Sequence, residues 1–421
     1  MLDPKFIRNN IDLIKKTLLN HTKEGVPKDI LEQFLNHDIK SRSDISKLQE
    51  LNTKRNNLTS LFEHTKDNVE KEKLKKEVIT FKNQIEELNN ICNENDKKMH
   101  EILFSIPNIL DDSVPIGETE EDNVELRKFG TIRTDKVLPH YEIGVKLNLL
   151  DFERGAKISG TRGYILKGNG SKLLRALRDF TLDLAEQNGY VEIQPPMLIK
   201  EELLYGLGKI PFFQEDMYAT ADKTYLPATE EFAITAMHAN ETLLATNLPL
   251  KYTGSCVNYR KEAGSAGKDV RGILRVHYFW NTELIHFTTK EQSWQSLEEM
   301  TNQAETVLKE LEIPYRVVLL CSGDTGAAAA KTYDIEVHMP ASGLYREISS
   351  CSNCLEYQSR GLNIKYLDPK TKEKCYVHTL NGTGVSLNRL WIAIVENCQT
   401  KDGRIKIPTK LVKYFGKEFI E

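Results

Sequence analysis

The stretch YRKEAGSAGKDVRGILRVHYF, residues 259–279, decides the fold more than any other part of the chain. We expect two strands around a short loop, because small residues in its first half let the chain turn or approach a partner closely. Side chains alternate between the faces of a strand, so Arg260 and Glu262 are expected on one face. Arg275 and Phe279 are likewise expected to share a face of the second strand.

The residue types on these strands suit a nucleotide. Two guanidiniums hold phosphate oxygens through paired hydrogen bonds, and an aromatic face stacks on a base. If the second strand runs on unbroken, Glu283 joins the face of Arg275. The sequence has no GxxxxGK[ST] loop and no GxGxxG motif opening a helix, so phosphate binding must come from arginines on strands.

A third arginine stands near the start of GTGVSLNRLWIAIVEN, where residues 385–397 are predicted to form a buried helix. A charged Arg389 on an otherwise apolar helix is costly unless it faces a cleft or a partner charge. A buried structural ion pair is the alternative.

Two further polar motifs are candidates for ligand contacts. In YREISSCSN, Glu347 with Ser349 and Ser350 offers only hard oxygen ligands, which suit Mg²⁺ on phosphates. The plainer alternative is a strand glutamate beside hydroxyls that bond to the backbone. In TEEF, Thr229 and Glu231 share a face of an extended segment and are candidates to bind an ammonium and a hydroxyl.

Cysteines and histidines give weaker indications. Seven cysteines are an odd number in a chain of 421 residues, which is typical of a reducing compartment rather than a disulfide scaffold. The CxxC at residues 351–354 has Cys375 and His378 downstream, but this spacing favours neither zinc nor a redox pair. The histidines are expected to be packed or hydrogen-bonded core residues; they are His238, His277 and His378.

The overall composition favours a two-domain, soluble protein. A formal net charge of −4 argues against a globally basic binder, although a local basic patch is compatible with it. The N-terminal residues do not form a signal peptide, and no run approaches the length needed to span a bilayer. We therefore expect a cytoplasmic protein that does not enter a membrane.

The first hundred residues differ from the rest. Between Pro27 and Leu103 there is no further glycine or proline, and apolar residues recur with helical spacing. The pattern breaks at residues 64–68, which predicts an antiparallel hairpin of two helices of about 35 residues that projects as an arm. Residues 40–82 hold eleven Lys or Arg against seven Asp or Glu, which suits a phosphate backbone. A solvated coiled coil or a dimerisation rod is the alternative.

A segment rich in Pro, Asp, Glu and Gly follows at residues 105–130 and is predicted to be an extended linker. Beyond it the pattern is mixed. Helices are predicted at 173–188 and 294–311. Strands are predicted at 333–339, 342–350 and 376–380, and residues 189–198 begin as a strand that two prolines stop.

Taken in order, these motifs resemble the seryl-tRNA synthetases, a family of class II aminoacyl-tRNA synthetases. The resemblance rests on MLDPKFIR, the hairpin, IPN…DSVP, TEE, YRKEAGSAGKDVRG, REISSCSN and HTLNGTG…NR…ENCQ. It implies an α+β fold, with an N-terminal antiparallel helical hairpin (a coiled-coil arm) and a class II catalytic domain built on an antiparallel sheet flanked by helices. The implied domains are a tRNA-binding arm at 1–104, a linker at 105–130 and the catalytic domain at 131–421.

The resemblance also implies roles for single residues. The α-phosphate and adenine end of ATP would be held by Arg260 and Glu262, with Phe279 stacking on the base. The β- and γ-phosphates would be held by Arg275 and Arg389, and Mg²⁺ by Glu347 and Ser350. The ATP-binding segments would also include Lys261, Ile348 and Ser349. The serine pocket would be lined by Thr229, Glu230, Glu231, Arg260, Glu283 and Thr383, with Arg260, Arg389 and Glu347 as the catalytic residues.

The implied reaction is activation of L-serine by ATP to seryl-adenylate, followed by transfer of the seryl group to the 3′ end of tRNA(Ser). The serine carboxylate is already a nucleophile, so positioning and charge neutralisation suffice without a general base. A pocket that pairs with the serine hydroxyl would reject alanine by roughly 10⁴-fold or more.

The resemblance further implies a homodimer with residues 189–198 in its interface, and a hairpin that grips the long variable arm of the tRNA. The loop from Ala263 to Arg271 would approach the acceptor end. Charging of tRNA(Sec) stays open.

The chain departs from the family pattern at a few positions. Asn388 stands where glycine is usual, and asparagine tolerates a left-handed backbone. Thr383 stands where serine is more usual and adds a methyl group to a small pocket. Trp280 and Asn281 stand where other charged or polar residues are commoner.

Two other functions are compatible with parts of this pattern. A related enzyme that charges a carrier protein is expected to lack the tRNA-binding arm, which is intact here. A catalytically silent scaffold is expected to have lost Arg260, Glu347 or Arg389, and all three are present.

Overall fold

The computed structural model describes residues 1–21, 26–263 and 271–421. The chain divides into two compact units, one ending at Ile106 and the other beginning at Pro107; the second also includes Met1 and the segment around His21. Of the loop predicted to approach the acceptor end, residues 264–270 lie outside the described residues. No helix in the described ranges is both long and apolar enough to cross a membrane.

The helices are α1 (Pro4–Asn9), α2 (Ile11–Asn20), α3 (Ile30–His64), α4 (Asn68–Phe104), α5 (His140–Lys146), α6 (Phe152–Ser159), α7 (Asn169–Gln187), α8 (Glu201–Gly206), α9 (Glu231–Ala236), α10 (Ser293–Glu310), α11 (Tyr357–Leu362), α12 (Leu387–Asn397) and α13 (Val412–Phe415). The strands are β1 (Val124–Phe129), β2 (Leu150–Asp151), β3 (Ile165–Leu166), β4 (Val191–Glu192), β5 (Ile199–Lys200), β6 (Thr224–Tyr225), β7 (Thr242–Leu243), β8 (Leu250–Tyr259), β9 (Tyr278–Thr288), β10 (Tyr315–Leu319), β11 (Lys331–Met339), β12 (Leu344–Asn353), β13 (Lys365–Leu367), β14 (Lys374–Tyr376), β15 (His378–Ser386), β16 (Ile405–Lys406) and β17 (Phe419–Ile420).

The N-terminal unit contains the predicted helical hairpin. Helices α3 and α4 have 35 and 37 residues and are joined by a three-residue turn, as the break in the apolar pattern predicted. The turn ends where the Asp67 carboxylate accepts a hydrogen bond from the Val69 backbone N–H at 2.8 Å and caps α4. Nearer the base of the hairpin, Asn95 Nδ2 donates to Asp44 Oδ2 at 3.2 Å, so a buried polar pair links the two helices.

The apolar stripe of the hairpin is only partly covered. A helix in a two-helix hairpin has one neighbour, so part of a wide stripe stays in solvent. Several of the predicted stripe positions are more than a third exposed: Ile39, Ile45, Leu61, Val69 and Ile91.

The second unit is built on an eight-stranded sheet in the order β1-β10-β11-β12-β15-β9-β8-β4. Every neighbouring pair is antiparallel except β4 and β8, which confirms the predicted antiparallel sheet. Helices α7, α10 and α12 contribute to its apolar core, in which the Trp391 side chain is completely buried. The predicted linker is more than a connection, because residues near its end form the edge strand β1 of the sheet.

The strands around the deciding stretch are shorter there than predicted. Strand β8 ends at Tyr259 and β9 begins at Tyr278, so Arg260, Glu262 and Arg275 lie in the connection between the strands. Glu262 has a left-handed backbone with φ of 55°, which is incompatible with a strand. The second strand does run on unbroken, and Glu283 lies within it opposite Gly254 of β8.

A β-bulge in β12 changes the face of the sheet to which Glu347 points. The register between β11 and β12 pairs Ile335 with Ser349 but Glu336 with Glu347, so Ile348 is the extra residue. A bulge shifts the alternation by one residue. Glu347 therefore faces the same side as Ser350, three residues away, rather than the side of Ser349.

Candidate active site

One cavity of about 160 Å³ opens above the sheet between the connection of β8 to β9, the bulge of β12 and the start of α12. It brings together the three arginines and the acidic residue that the sequence indicated. Its walls are formed by Arg260, Glu262, Ile273, Leu274, Arg275, Val276, Phe279, Asn281, Glu347, Ile348, Thr383, Ser386, Asn388 and Arg389.

Arg389 and Glu347 form an ion pair across this cavity. Arg389 Nη1 lies 3.1 Å from Glu347 Oε2 and also donates to the Glu347 backbone carbonyl. The pair is not the buried structural one considered above, because 48% of the Glu347 side chain and 25% of the Arg389 side chain are exposed. Burial raises the pKa of Glu347, but Arg389 and then Arg260 outweigh it and hold the pKa below its usual value.

Arg260 lies between two aromatic rings. Its guanidinium carbon is 5.1 Å from the centroid of the Phe279 ring and 5.5 Å from that of Phe213. Its Nε donates to the Ala228 carbonyl at 3.2 Å. One face of Phe279 is thus covered by Arg260 in this structure.

Arg275 is paired but keeps one donor without a partner. Its Nη1 lies 2.8 Å from Glu262 Oε2. Its Nε is buried and has no acceptor among the described residues. A buried donor without a partner is costly, so an anion in the cavity would stabilise it.

The predicted serine pocket borders this cavity at Glu283. Its carboxylate Oε1 accepts hydrogen bonds from Asn281 Nδ2 at 3.0 Å and from Thr383 Oγ1 at 3.3 Å. Burial raises the pKa of Glu283 to about 7, although the hydrogen bond from Asn281 opposes the shift. Glu283 and Thr383 are therefore brought together as predicted.

The TEE segment differs from the extended conformation predicted. Thr229 Oγ1 accepts from the backbone N–H of Glu231 at 3.2 Å, and Glu231 begins α9. The hydroxyl thus turns the chain into a helix rather than leaving it extended. The Glu231 carboxylate is already bound by Lys209 Nζ at 3.0 Å and Gln358 Nε2 at 2.8 Å.

Glu230 is the most isolated acid of the pocket. Its side chain is completely buried, and neither carboxylate oxygen has a hydrogen-bond partner in the described part of the chain. Burial, and then the charge of Glu283, raises the pKa of Glu230 to about 8. The side chain packs against β8, where a Cβ at Gly254 would lie 2.8 Å from Glu230 Oε1.

The residues predicted to bind Mg²⁺ have suitable chemistry. Glu347 and Ser350 offer oxygen atoms on one face of β12, as Mg²⁺ prefers. The Ser349 hydroxyl instead donates to the Thr383 carbonyl and is fully buried. In the described ranges no group of three or more His, Cys, Asp or Glu side chains is arranged to hold a metal ion.

Two cavity residues were noticed in the sequence only as departures from a family pattern. Asn388 lies in helix α12 and is not left-handed as considered above. Its side chain links Trp280 of β9 to Tyr164 through two hydrogen bonds. Its Oδ1 accepts from the Trp280 backbone N–H at 3.0 Å, and its Nδ2 donates to Tyr164 Oη at 2.8 Å. Asn281 shares its face with Glu283 because the two are two residues apart on β9, a spacing visible in the sequence.

Two side chains near the site could not be expected from the sequence. Several expected side chains, in turn, lie outside the cavity walls. Lys209 and Phe213 reach the site from the segment after α8 and carry no recognisable motif. The walls do not include the predicted residues Lys261, Thr229, Glu230, Glu231, Glu283, Ser349 and Ser350. The three histidines make hydrogen bonds, as expected: His238 to Glu241, His277 to the Arg260 carbonyl and His378 to Ser293.

Comparison with protein families gives two matches. Residues 1–110 match the seryl-tRNA synthetase N-terminal domain. Residues 214–398 match the tRNA synthetase class II core domain (G, H, P, S and T).

Similar proteins cover the whole chain. A serine–tRNA ligase of Malacoplasma penetrans is 42% identical over 435 residues, which span 100% of this chain and 99% of that relative. The crystal structure of seryl-tRNA synthetase from Pyrococcus horikoshii complexed with ATP has a TM-score of 0.90 and 36% identity, and covers 100% of this chain and 99% of its own. A cytoplasmic serine–tRNA ligase from Naegleria fowleri in complex with AMP has a TM-score of 0.86 and 30% identity, with the same coverage.

Proposed function

The chain belongs to the seryl-tRNA synthetase family, and from this premise we propose how its residues divide the reaction. It acts as a serine–tRNA ligase, which activates L-serine with ATP to seryl-adenylate and transfers the seryl group to the 3′ end of tRNA(Ser). The observation that carries the proposed residue roles is the convergence of Arg260, Arg275, Arg389 and Glu347 on one cavity.

The cavity is proposed to hold the triphosphate of ATP. Arg260 binds the α-phosphate, while Arg275 and Arg389 bind the β- and γ-phosphates. Two of these cations are paired with carboxylates, and a triphosphate would replace the carboxylates with more highly charged partners. The adenine stacks on Phe279, and Glu262, Lys261 and Ile348 complete the nucleotide site.

Serine is proposed to bind beside this cavity, at Glu283 and Thr383. The ionised Glu283 carboxylate accepts from the ammonium or hydroxyl of serine, while Thr229, Glu230 and Glu231 close the pocket from the α9 side. The serine carboxylate then attacks the α-phosphorus in line, and pyrophosphate leaves. No side chain has to remove a proton from this nucleophile, so alignment and charge neutralisation by the arginines provide the catalysis.

Mg²⁺ is proposed to bind at Glu347 and Ser350. When bound, the ion would neutralise charge on the phosphate oxygens. Arg389 Nη1 lies 3.1 Å from Glu347 Oε2, so the Glu347 carboxylate would be shared between Arg389 and the ion.

The N-terminal hairpin in domain 1–104 is proposed to bind the long variable arm of tRNA(Ser), with the catalytic domain at 131–421 joined to it through residues 105–130. Mild excess positive charge on the distal half supports this role. A tRNA(Sec) with a similar arm is a second candidate, tested by charging it in vitro.

A homodimer is proposed through residues 189–198. This segment contains the edge strand β4, and its Val191 and Leu198 are each more than half exposed. Exposed apolar residues on a sheet edge favour pairing with a second chain. A cytoplasmic location is proposed because all seven cysteines are free.

The experiment that tests the proposed function is serine-dependent exchange between ATP and pyrophosphate, followed by charging of tRNA(Ser). We expect exchange with serine and none with alanine. Charging is expected with the intact tRNA and is expected to fall when its variable arm is removed. Exchange without any tRNA charging would favour the carrier-loading alternative, and no exchange would contradict the proposed adenylate site.

A further inference from the structure

Asn281 joins the nucleotide cavity to the proposed serine pocket. It lies on β9 between Phe279, which faces the nucleotide, and Glu283, which faces serine, and it lines the cavity. Only 4% of the residue is exposed. Its position is fixed on both sides, because it pairs with Cys256 of β8 and with Ser386 of β15.

The two polar atoms of this side chain have different surroundings. Its Nδ2 donates to Glu283 Oε1 at 3.0 Å. Its Oδ1 is buried and accepts no hydrogen bond from any residue that the structure describes. A buried carbonyl oxygen without a donor costs about 1–3 kcal/mol, and such atoms in folded proteins are usually satisfied by a ligand or water.

We propose that Asn281 is a serine-binding residue: its amide nitrogen orients the Glu283 carboxylate, and its amide oxygen accepts a hydrogen bond from bound serine. This inference rests on the proposed function, because it takes Glu283 as part of the serine site. Free serine carries only two kinds of donor, its ammonium and its hydroxyl. The Asn281 and Thr383 hydrogen bonds both end on Glu283 Oε1, which leaves Oε2 for one donor and Asn281 Oδ1 for another.

The charges around Glu283 agree with this division. Glu231 opposes the ionisation of the Glu283 carboxylate and Arg260 favours it, while the charge of Glu283 in turn raises the pKa of Glu230. Asn281 and Thr383 are the two neutral donors on the carboxylate. The bond from Asn281 therefore lowers the pKa of Glu283, and its loss raises that pKa further. Serine binding at neutral pH therefore depends on the Asn281 amide in two ways. Its nitrogen favours the ionised form of Glu283, and its oxygen accepts a hydrogen bond from serine.

The test compares two substitutions in serine-dependent pyrophosphate exchange. Asn281→Ala removes the amide and leaves space, whereas Asn281→Leu removes the amide and keeps the volume. We expect both to raise the KM for serine by roughly tenfold or more, while the KM for ATP changes by less than about twofold. The acid limb of kcat/KM for serine should also move to higher pH in both variants.

Asn388→Ala is the matched control, because Asn388 is also a buried asparagine in the cavity wall but bonds to Trp280 and Tyr164 instead of Glu283. It is expected to raise the KM for ATP and not that for serine. Restoration of the serine KM by Asn281→Leu would show that Asn281 only fills space and would overturn the proposal, as would an unchanged serine KM in both variants.

A comparison of serine with alanine as substrates shows whether the hydroxyl or the ammonium of serine donates to Asn281 Oδ1. If Oδ1 accepts from the hydroxyl, discrimination between the two amino acids falls in Asn281→Leu. If it accepts from the ammonium, activation of both falls equally. Should the apolar variants fail to fold, Asn281→Ser keeps one polar group and is expected to give an intermediate serine KM. A wild-type chain without serine-dependent exchange would instead contradict the proposed function itself.

Discussion

At the scale of the residue, Glu347 is the acid on which the nucleotide site depends. It pairs with Arg389 across the cavity and is proposed to hold Mg²⁺. We expect Glu347→Gln to lower kcat of pyrophosphate exchange by about 10²–10³-fold, because it removes the negative charge that is proposed to hold the cation neutralising the phosphates. The serine KM should change little.

Glu336→Gln is the control for this change, because Glu336 is the partner of Glu347 in the β11–β12 register but pairs with Arg316 outside the cavity. It should leave kcat within about threefold of the wild type. Similar losses in both variants would contradict a special role of Glu347.

The raised pKa of Glu283 predicts that kcat/KM for serine depends on pH. Its pKa is raised to about 7 by burial, and only the ionised carboxylate attracts the serine ammonium. We therefore expect kcat/KM for serine to fall by about tenfold per pH unit as the pH drops below this value. A pH profile of pyrophosphate exchange at saturating ATP measures it, and Glu283→Gln should abolish the limb together with most serine binding. A flat profile in the wild type would contradict the prediction.

Glu230 predicts a pH dependence of stability. Its native pKa of about 8 exceeds the unfolded value, so the native state holds an extra proton between the two values and loses that advantage as the pH rises. The wild type should lose at least about 1 kcal/mol more than Glu230→Gln in unfolding free energy between about pH 5 and about pH 9.

Denaturant unfolding at the two pH values measures this difference. Glu202→Gln is the control, since Glu202 is 75% exposed and should behave as the wild type does. Parallel losses in the wild type and Glu230→Gln would show that Glu230 titrates normally.

At the scale of the element, β15 packs closely on α10 at Gly382, the residue before Thr383, and Thr383 lies opposite Glu283 of β9. A Cβ at Gly382 would lie 2.8 Å from both Cys351 Sγ and Met300 Sδ, atoms of buried residues. We expect Gly382→Ala to destabilise the protein by about 1–3 kcal/mol through overpacking and to raise the KM for serine by displacing Thr383.

Denaturant unfolding and exchange kinetics measure the two effects. Gly326→Ala is the matched control, because its new Cβ would meet no atom within 4 Å. Its effect should stay within about 0.5 kcal/mol. Equal stability of the two variants would show that the β15–α10 contact can relax.

Elements whose apolar residues recur regularly over a long stretch were predictable from the sequence. Features that depend on the backbone conformation of one or two residues were not. The helices of the hairpin follow from dozens of periodic residues. The edge strand β1 is exposed at all six of its residues, so it has no buried face to leave an alternating pattern. Likewise, the left-handed Glu262 and the bulge at Ile348 depend on tertiary contacts, so the end of β8 and the facing of Glu347 were not predictable.

The site was predictable to the extent that charge and family motifs mark it. Arginines and acids stand out because their burial requires a reason, and the family resemblance gave their roles. The neutral amides Asn281 and Asn388 fit many surroundings, so only the contacts in the structure reveal their importance. Lys209 and Phe213 reach the site from a segment without a motif.

At the scale of the whole molecule, the division at Ile106 and Pro107 separates the hairpin from the catalytic sheet. We expect deletion of residues 27–103, closed by a flexible linker, to leave adenylate formation within about threefold of the wild type, because every wall of the cavity lies in the second unit. Charging of tRNA(Ser) should fall by roughly 100-fold or more, since the deletion removes the proposed phosphate-backbone contacts.

Pyrophosphate exchange and aminoacylation of the same preparation measure the two activities. The full-length protein assayed with a tRNA lacking its variable arm is the matched control and should lose charging alone. Equal loss of both activities on deletion would show that the hairpin is needed for the catalytic fold itself.

The ion pairs Arg389–Glu347 and Arg275–Glu262 compensate two of the three arginine charges that line the cavity. A small competitor such as orthophosphate can contact Arg260 or Arg275 Nε, but to reach Arg389 it must separate that arginine from Glu347 and leave the carboxylate without compensation. A polyphosphate accompanied by a divalent cation supplies a counterion to both halves of each broken pair. Small inorganic anions should therefore bind in this cavity more weakly than ATP accompanied by its cation.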